Sequence, residues 1–329
     1  MAVDHWDAII IGAGPAGLSA ALVLGRCCRK VLVCDAGAPR NWAAHHMHAF
    51  LTRDGIPPAD FKDVARQELR AYRNVHFWEG EVTDVERTSE NFFRVSLDGD
   101  WSESARKLLI ATGVKDKLPD LPRIEEFWGS SVHQCPYCDA WELRGTPVAV
   151  YGKGTRGLEM ARAMTAWTSD IALCTDGRSG LAANDKESLA RNGVELIEER
   201  IVELDGENGQ LQAIVFKSGR RLERRALFFD TPVVVHSELA RKLGCQFHRS
   251  GGVRCGKYEA TSVPGVFVAG NIIKDVQLAI VAAAEGARAA FGINRSLTRE
   301  DFDQRVTGVR SIEHPPVDDE KAARRRPQS

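Results

Sequence analysis

The sequence predicts an α/β fold with two domains, each built around a βαβ unit. The segments "WDAIIIGAGPAG" and "VAVYGKGTRG" each run from an apolar strand into three glycines spaced as G-x-G-x-x-G, and a helical pattern follows. Alternating polar and apolar residues near 80–106 and 197–230 predict antiparallel strands. A repeated βαβ opening indicates two nucleotide-binding units. We therefore expect two Rossmann-like dinucleotide-binding domains, three-layered, with small antiparallel β additions.

Length and charge narrow the class of protein further. A chain of 329 residues is long enough for about two domains. The formal net charge of −1 gives no basic field for nucleic acid or an anionic membrane. The apolar run at the start, Ala8 to Ile11, is too short for a signal peptide or a membrane span. We expect a cytoplasmic protein that binds neither nucleic acid nor a membrane.

The first unit carries a complete dinucleotide fingerprint. Its glycines are Gly12, Gly14 and Gly17, and the next strand, in "KVLVCDAG", ends at Asp35, 18 positions after Gly17. In such units the glycines let the backbone approach a pyrophosphate, and the acid accepts hydrogen bonds from a ribose. The alternative is a glycine turn that only packs a helix on a strand.

The second unit repeats this pattern with an unusual loop. Its glycines are Gly152, Gly154 and Gly157, and Asp176 follows 19 positions after the last of them. An acid at this place suits the free ribose of NADH and repels the 2′-phosphate of NADPH, although Arg178 could offset that repulsion. The donor, NADPH or NADH, stays open at this stage.

The segment "HQCPYCDAWE" contains the chemically most reactive pattern. Cys135 and Cys138 at the start of a helical turn can form a disulfide, and the turn lowers the pKa of one thiol. Asp139 follows directly and can supply a proton to a departing thiolate. A zinc site would need a second ligand pair, which the other six scattered cysteines do not provide. A structural pair and a glutaredoxin-like site are further alternatives, but a redox dithiol is favoured.

Two other segments complete the pattern. "TSVPGVFVAGN" predicts a strand that ends just before Asn271, and "VQLAIVAAAEGARAAFGIN" predicts a helix of small residues that can approach another backbone closely. The histidines in "HHMH", residues 45–48, have no nearby carboxylate to complete a metal site, and we expect that segment to pack beside a cofactor. Residues 313–329 predict a disordered tail.

Five segments occur in a fixed order along the chain: "GAGPAG", "ATG", "CPYCD", the second glycine motif and "TSVPGVFVAGN". On these segments the chain resembles the low-molecular-weight thioredoxin reductases and their thioredoxin-reductase-like relatives. The resemblance covers roughly residues 5–298. It implies an FAD domain formed by 1–116 and 246–312, interrupted by an NAD(P)H-type domain at 117–245 that carries the cysteines. It also implies a homodimer and a large rotation of one domain against the other.

The same resemblance assigns roles to individual residues. Gly12, Gly14 and Gly17 would meet the FAD pyrophosphate, and Asp35 would bind the adenosine ribose. Asn271 lies where the family usually has an aspartate beside the flavin. Cys138 would face the flavin, Cys135 would exchange with the substrate, and Asp139 would carry the proton. The partner would be a thioredoxin-like protein or a small disulfide or dithiol.

Two departures from the family leave the electron donor open. The reductases selective for NADPH have a His-Arg-Arg cluster where this chain has "CTDGRSG", and they have Arg-Gln-Ala where this chain has "VQL" at 276–278. Both differences move the chain toward the relatives that act as dithiol oxidases, which pass electrons from a small dithiol to FAD and then to oxygen without a nicotinamide. Three hypotheses remain: a nicotinamide-dependent disulfide reductase, a dithiol oxidase and a non-catalytic flavin redox sensor. The intact second glycine motif favours the reductase.

Overall fold

The computed structural model describes residues 5–89 and 91–306. Its regular elements follow one another in the order β1 (Trp6–Ile11), α1 (Pro15–Arg26), β2 (Val31–Asp35), α2 (Pro58–Leu69), β3 (Val75–Glu79), β4 (Val82–Arg87), β5 (Phe93–Leu97), β6 (Trp101–Ile110), β7 (Val114–Lys115), α3 (Ile124–Phe127), β8 (Val132–His133), α4 (Pro136–Asp139), β9 (Val148–Tyr151), α5 (Gly154–Met164), β10 (Ile171–Cys174), α6 (Ala183–Arg191), β11 (Glu195–Ile197), β12 (Ile201–Glu207), β13 (Gln210–Phe216), β14 (Arg221–Glu223), β15 (Ala226–Phe229), β16 (Val234–Val235), α7 (Leu239–Lys242), β17 (Val266–Val268) and α8 (Ala279–Val306).

The first sheet has seven strands in the order β3-β2-β1-β6-β5-β4, and β17 also pairs with β6. The strands β3, β2, β1, β6 and β17 pair in parallel with one another. In contrast, β4 pairs antiparallel with β5, and β5 pairs antiparallel with the first half of β6. The strand β2 is buried along its whole length, as expected for a parallel strand covered on both faces. The predicted antiparallel addition near 80–106 is confirmed.

The helices α1 and α8 cover one face of the first sheet and touch each other closely. A Cβ on Gly286 of α8 would overlap the backbone of Ala16 in α1, so only glycine permits this approach. The prediction of a small-residue helix that packs against another backbone is confirmed.

The second sheet is entirely parallel, with the order β11-β10-β9-β15-β8. The helices α5 and α6 pack on one face through Leu158, Met164 and Leu189. The antiparallel sheet β12-β13-β14 packs on the other face through residues such as Ile214 and Phe216. The result is a helix, sheet and sheet sandwich, and the predicted α/β class with antiparallel additions is confirmed.

The chain passes between the two sheets through a short ribbon. β7 and β16 pair antiparallel over two residue pairs only, Lys115 with Val234 and Val114 with Val235. After this ribbon, Leu239 and Ala240 of α7 pack into the core of the first sheet, whereas the family resemblance implies that 117–245 belong to the inserted domain. The helix α7 lies against β4. The division into domains stays a prediction.

Within residues 5–89 and 91–306, no helix is long and apolar enough to cross a membrane. The predicted disordered tail at 313–329 lies outside the described residues, as does the end of the segment 246–312.

Candidate active site

One cavity of about 800 Å³ lies at the carboxyl ends of the first sheet's parallel strands. Ligands of open α/β sheets bind at this edge. The predicted site residues in its lining are Gly12, Gly14, Asp35, Asn271, Cys135, Cys138 and Asp139. Residues of both units, far apart in sequence, thus meet in a single cavity.

The first glycine turn packs closely against neighbouring backbone at Gly12 and Gly17 and leaves open space at Gly14. A Cβ on Gly17 would overlap the Gly12 carbonyl oxygen, and one on Gly12 would overlap the backbone of Ala111. Among the described residues, nothing lies within 4 Å of a Cβ placed on Gly14. The helix α1 starts there, and the described residues give it neither a side-chain cap nor an acid in its first turn. Its amides therefore suit a pyrophosphate.

Asp35 ends β2 at the rim of the cavity and is 6% exposed. One carboxylate oxygen accepts from the Gly37 amide at 3.0 Å, and the other lies 2.6 Å from Lys62 Nζ and 3.4 Å from the Arg66 guanidinium. The two cations offset the cost of burying this carboxylate. Lys62 also lines the cavity, and sequence patterns gave no signal for it.

Asn271 lies just after Gly270, whose φ of 80° favours glycine. Glu285 of α8 accepts a 2.7 Å hydrogen bond from the Gly270 amide, which fixes the turn that presents Asn271 to the cavity. Burial raises the pKa of Glu285 to about 7. No sequence pattern points to Glu285, since its partner lies 15 residues earlier in a different element.

Cys135 and Cys138 form a disulfide with a Cα–Cα distance of 5.2 Å. Cys135 caps the short helix α4, and its carbonyl oxygen accepts from the Cys138 amide at 3.1 Å. Both residues line the cavity, while Tyr137 between them is 70% exposed. The short helix α4 therefore borders the cavity through its cysteines and solvent through Tyr137.

Asp139 has the environment of an acid-base group. Burial raises its pKa from the usual 3.8 to about 7, while the nearby His48 opposes this rise. Its Oδ1 atom lies 3.6 Å from Nδ1 of His133. Burial lowers the pKa of His133 to about 4, so this imidazole is neutral near pH 7. Asp139 can thus gain or lose a proton in the neutral range.

The histidine segment lies beside this acid. His46 and His48 line the cavity. His48 Nε2 lies 3.7 Å from Glu142 Oε1, and its Nδ1 lies 3.5 Å from Asp54. In the described part of the chain, no group of three or more His, Cys, Asp or Glu side chains could hold a metal ion.

The second glycine turn shares the close strand-to-helix approach of the first but has its positive φ at Gly154 rather than at the first glycine. A Cβ on Gly152 would lie 2.8 Å from Gly157 Cα, so the strand and helix touch here as well. Gly154 has a φ of +56°, and nothing described lies within 4 Å of a Cβ placed on it. The start of α5 thus has open space at Gly154, where backbone amides can bind an anion.

The structure places Asp176 two residues beyond β10, outside the lining of the large cavity. Its φ is 47°, and its Oδ1 atom accepts from the Ile201 amide at 2.8 Å. One carboxylate oxygen is therefore engaged by the start of β12.

Comparisons with known proteins agree with this geometry. Residues 6–286 match the family model described as pyridine nucleotide-disulphide oxidoreductase. The chain is 33% identical over 290 residues to thioredoxin reductase tcpT of Claviceps purpurea, covering 83% of this chain and 89% of that protein. A probable thioredoxin reductase of Arthroderma benhamiae is 30% identical over 328 residues, which covers 90% of this chain and 81% of that one.

A solved structure gives the same picture. The putative thioredoxin reductase TrxB from Bacillus anthracis is 32% identical, with a TM-score of 0.86 over 89% of this chain and 99% of that chain. The resemblance stated from the motifs is confirmed. The chain belongs to the pyridine nucleotide-disulphide oxidoreductase family and is a thioredoxin-reductase-like oxidoreductase that acts on sulfur groups.

Proposed function

We propose that this oxidoreductase moves electrons from NADPH or NADH through FAD to the Cys135–Cys138 disulfide and on to an external disulfide. One observation carries the proposal: the redox disulfide and the first glycine turn line the same cavity of about 800 Å³. FAD, when bound, supplies a two-electron carrier between a hydride donor and a disulfide.

The first unit offers the residues for FAD. Gly12, Gly14 and Gly17 form the open cradle and tight turn for the pyrophosphate. Asp35 stands at the end of β2 for the adenosine ribose, and Asn271 offers an amide at the cavity wall. Binding of an anionic dinucleotide here is favoured by the amides at the start of α1.

The second unit offers the turn for the nicotinamide nucleotide. Gly152, Gly154 and Gly157 form this turn, and Asp176 lies two residues beyond the neighbouring strand β10. Asp176 retains one carboxylate oxygen for a ribose hydroxyl, since only Oδ1 accepts from Ile201 in the hydrogen bonds of the described residues.

The cysteines carry out the exchange. Two electrons and a proton convert the Cys135–Cys138 disulfide into one thiolate and one thiol. Cys135 attacks the external disulfide, forms a mixed disulfide with one substrate sulfur and releases the other as a thiolate. Cys138 then attacks the Cys135 sulfur, restores the internal disulfide and releases the second substrate sulfur.

Asp139 supplies protons during this exchange. Its pKa near 7 allows it to hold a proton while a thiolate departs and to recover one from solvent afterwards. Each external disulfide takes up two electrons and two protons in total and leaves as two thiols.

We expect the partner to be a thioredoxin-like protein or a small disulfide, and the enzyme to be a cytoplasmic homodimer. Support for a reducing compartment comes from the six cysteines outside the active site, all of which are free thiols. Light scattering of the purified protein tests the dimer.

Anaerobic spectroscopy of the purified flavoprotein tests the function. NADPH, NADH and a small dithiol are added separately, and bleaching of the flavin absorbance is followed in native protein and in Cys135→Ser and Cys138→Ser. Exposed Cys27 provides the control variant Cys27→Ser. Bleaching by a nicotinamide, followed by reduction of an external disulfide that both active-site variants lose, supports the proposal. Bleaching by the dithiol alone, with peroxide formed in air, would identify a dithiol oxidase instead.

A further inference from the structure

Arg40, in the loop after β2, joins three separate parts of the chain. Its guanidinium donates to both carboxylate oxygens of Asp116, with Nε distances of 2.8 and 3.0 Å, and to Gln134 Oε1 at 2.7 Å. A third nitrogen donates to the side-chain oxygen of Gln277. All four residues line the cavity, and we call them the Arg40 clamp.

The positions of the three partners are informative. Asp116 directly follows the crossing strand β7, Gln134 directly precedes Cys135, and Gln277 lies two residues before α8. The clamp therefore connects the first sheet, the crossing and the residue that leads into the redox disulfide.

The clamp has the chemistry of a strong contact. A planar guanidinium that holds a carboxylate bidentately makes charge-assisted hydrogen bonds with fixed geometry, and lysine cannot reproduce this fork. The side chains of Arg40 and Asp116 are only 23% and 10% exposed, so solvent screens their attraction weakly.

Other contacts also join the inserted unit to the first: His45 Nε2 lies 3.1 Å from Ser130 Oγ, and a Cβ on Gly129 would overlap the Ala43 backbone. The ribbon of β7 and β16 has two residue pairs. The second crossing is held by Lys274, whose Nζ donates to the carbonyl oxygens of Val233 at 2.8 Å and Ser250 at 3.1 Å. Arg40 and Lys274, both from the first unit, thus each contact one of the crossings.

We propose that Arg40 is a positioning residue that holds the Cys135–Cys138 disulfide against the cofactor cavity through Gln134. This inference rests on the proposed function, because it concerns delivery of electrons to that disulfide. Gln134 is the clamp partner next to the disulfide, and Arg40 would keep its contact with Asp116 if the Arg40–Gln134 contact were broken.

Three variants of the holoenzyme test the role. Arg40→Gln removes the whole clamp, Gln134→Ala removes only the contact beside the disulfide, and Arg40→Lys keeps the charge without the fork. Arg70→Gln, at an exposed position after α2, is the matched control. FAD content is measured for each variant, so that a folding defect is recognised.

Two measurements are made on each protein. The first is flavin fluorescence of the oxidised protein, which reports how the disulfide and its helix cover the flavin. The second is an anaerobic single turnover, quenched with an alkylating agent, in which mass spectrometry counts the thiols formed at Cys135 and Cys138. The electron source is whichever of NADPH, NADH or a small dithiol bleaches the native flavin.

We expect Arg40→Gln and Gln134→Ala to shift the fluorescence in the same direction and to slow electron exchange with the disulfide about 10-fold, as for one lost charge-assisted hydrogen bond. Arg40→Lys should recover part of the rate, and Arg70→Gln should behave as native. Native fluorescence and native rates in FAD-loaded Gln134→Ala would overturn the proposal, even if Arg40→Gln is impaired. If the native disulfide exchanges no electrons, the proposed function fails, and the fluorescence of the two variants still decides the role of the clamp.

Discussion

Replacing Asp139 with asparagine should stabilise the protein in a pH-dependent way and slow its chemistry. Burial raises the pKa of Asp139 from 3.8 to about 7. Between these values the folded protein keeps a proton that the unfolded chain releases, so native stability falls as the pH rises through this range. An asparagine side chain at this position carries no charge at any pH and avoids this loss.

The size of the effect follows from the two pKa values. The difference between 3.8 and about 7 corresponds to about 4 kcal/mol once the pH exceeds 7. The side chain is 26% exposed, so water reduces this figure. We expect the stability gain of Asp139→Asn to be roughly 2 kcal/mol larger near pH 8 than near pH 5.

Urea unfolding of the oxidised holoenzyme at these two pH values measures the gain. Asp303→Asn, at an exposed position of α8, is the control and should show no such growth. The same Asp139→Asn protein should reduce an external disulfide roughly 100-fold more slowly, as for a lost general acid. If Asp139→Asn changes the free energy of unfolding by the same amount at both pH values, then ionisation of Asp139 does not destabilise the fold and the reasoning is refuted.

Three further substitutions test the packing of α8 on α1 and the binding of FAD at the first glycine turn. Gly14→Val should lower FAD content several-fold with the fold intact by circular dichroism, because its side chain fills the open space at the start of α1; native FAD content would contradict this. Gly286→Ala should lower the free energy of unfolding by about 1–3 kcal/mol, since its Cβ overlaps the Ala16 backbone, and an unchanged urea midpoint would disprove it. Lys62→Met should weaken FAD retention during dialysis, because Asp35 loses its 2.6 Å cation, whereas equal retention would show that the ion pair is dispensable.

Sequence patterns predicted the parts of the site that depend on neighbouring residues. The two glycine turns and the Cys135–Cys138 pair are local features, because spacing along a few residues determines strand, turn and helix. The structure confirmed the α/β fold around them. The location of Asp139 beside the cysteines followed from the same short segment, although the extent of its burial did not.

The remaining site residues depend on contacts between distant segments. Arg40 meets Asp116 and Gln134, which lie 76 and 94 residues away, and no local pattern encodes such a meeting. For Asp176, the sequence predicted the residue but not the contact that its side chain makes. The pattern placed an acid after a strand, but the contact of its carboxylate with Ile201 depends on where β12 begins, 25 residues later. Similarly, sequence spacing alone does not show that the apolar face of α7 is buried against the first sheet.

The two-pair ribbon of β7 and β16 also has a consequence for how the chain is assembled. Because Val114 and Val235 are paired neighbours, the segment between them leaves and returns at one point. A turn of about 2–5 residues could close that gap. The first sheet takes none of its strands from the residues between this pair, so replacing them with such a turn would leave the strand order of that sheet unchanged.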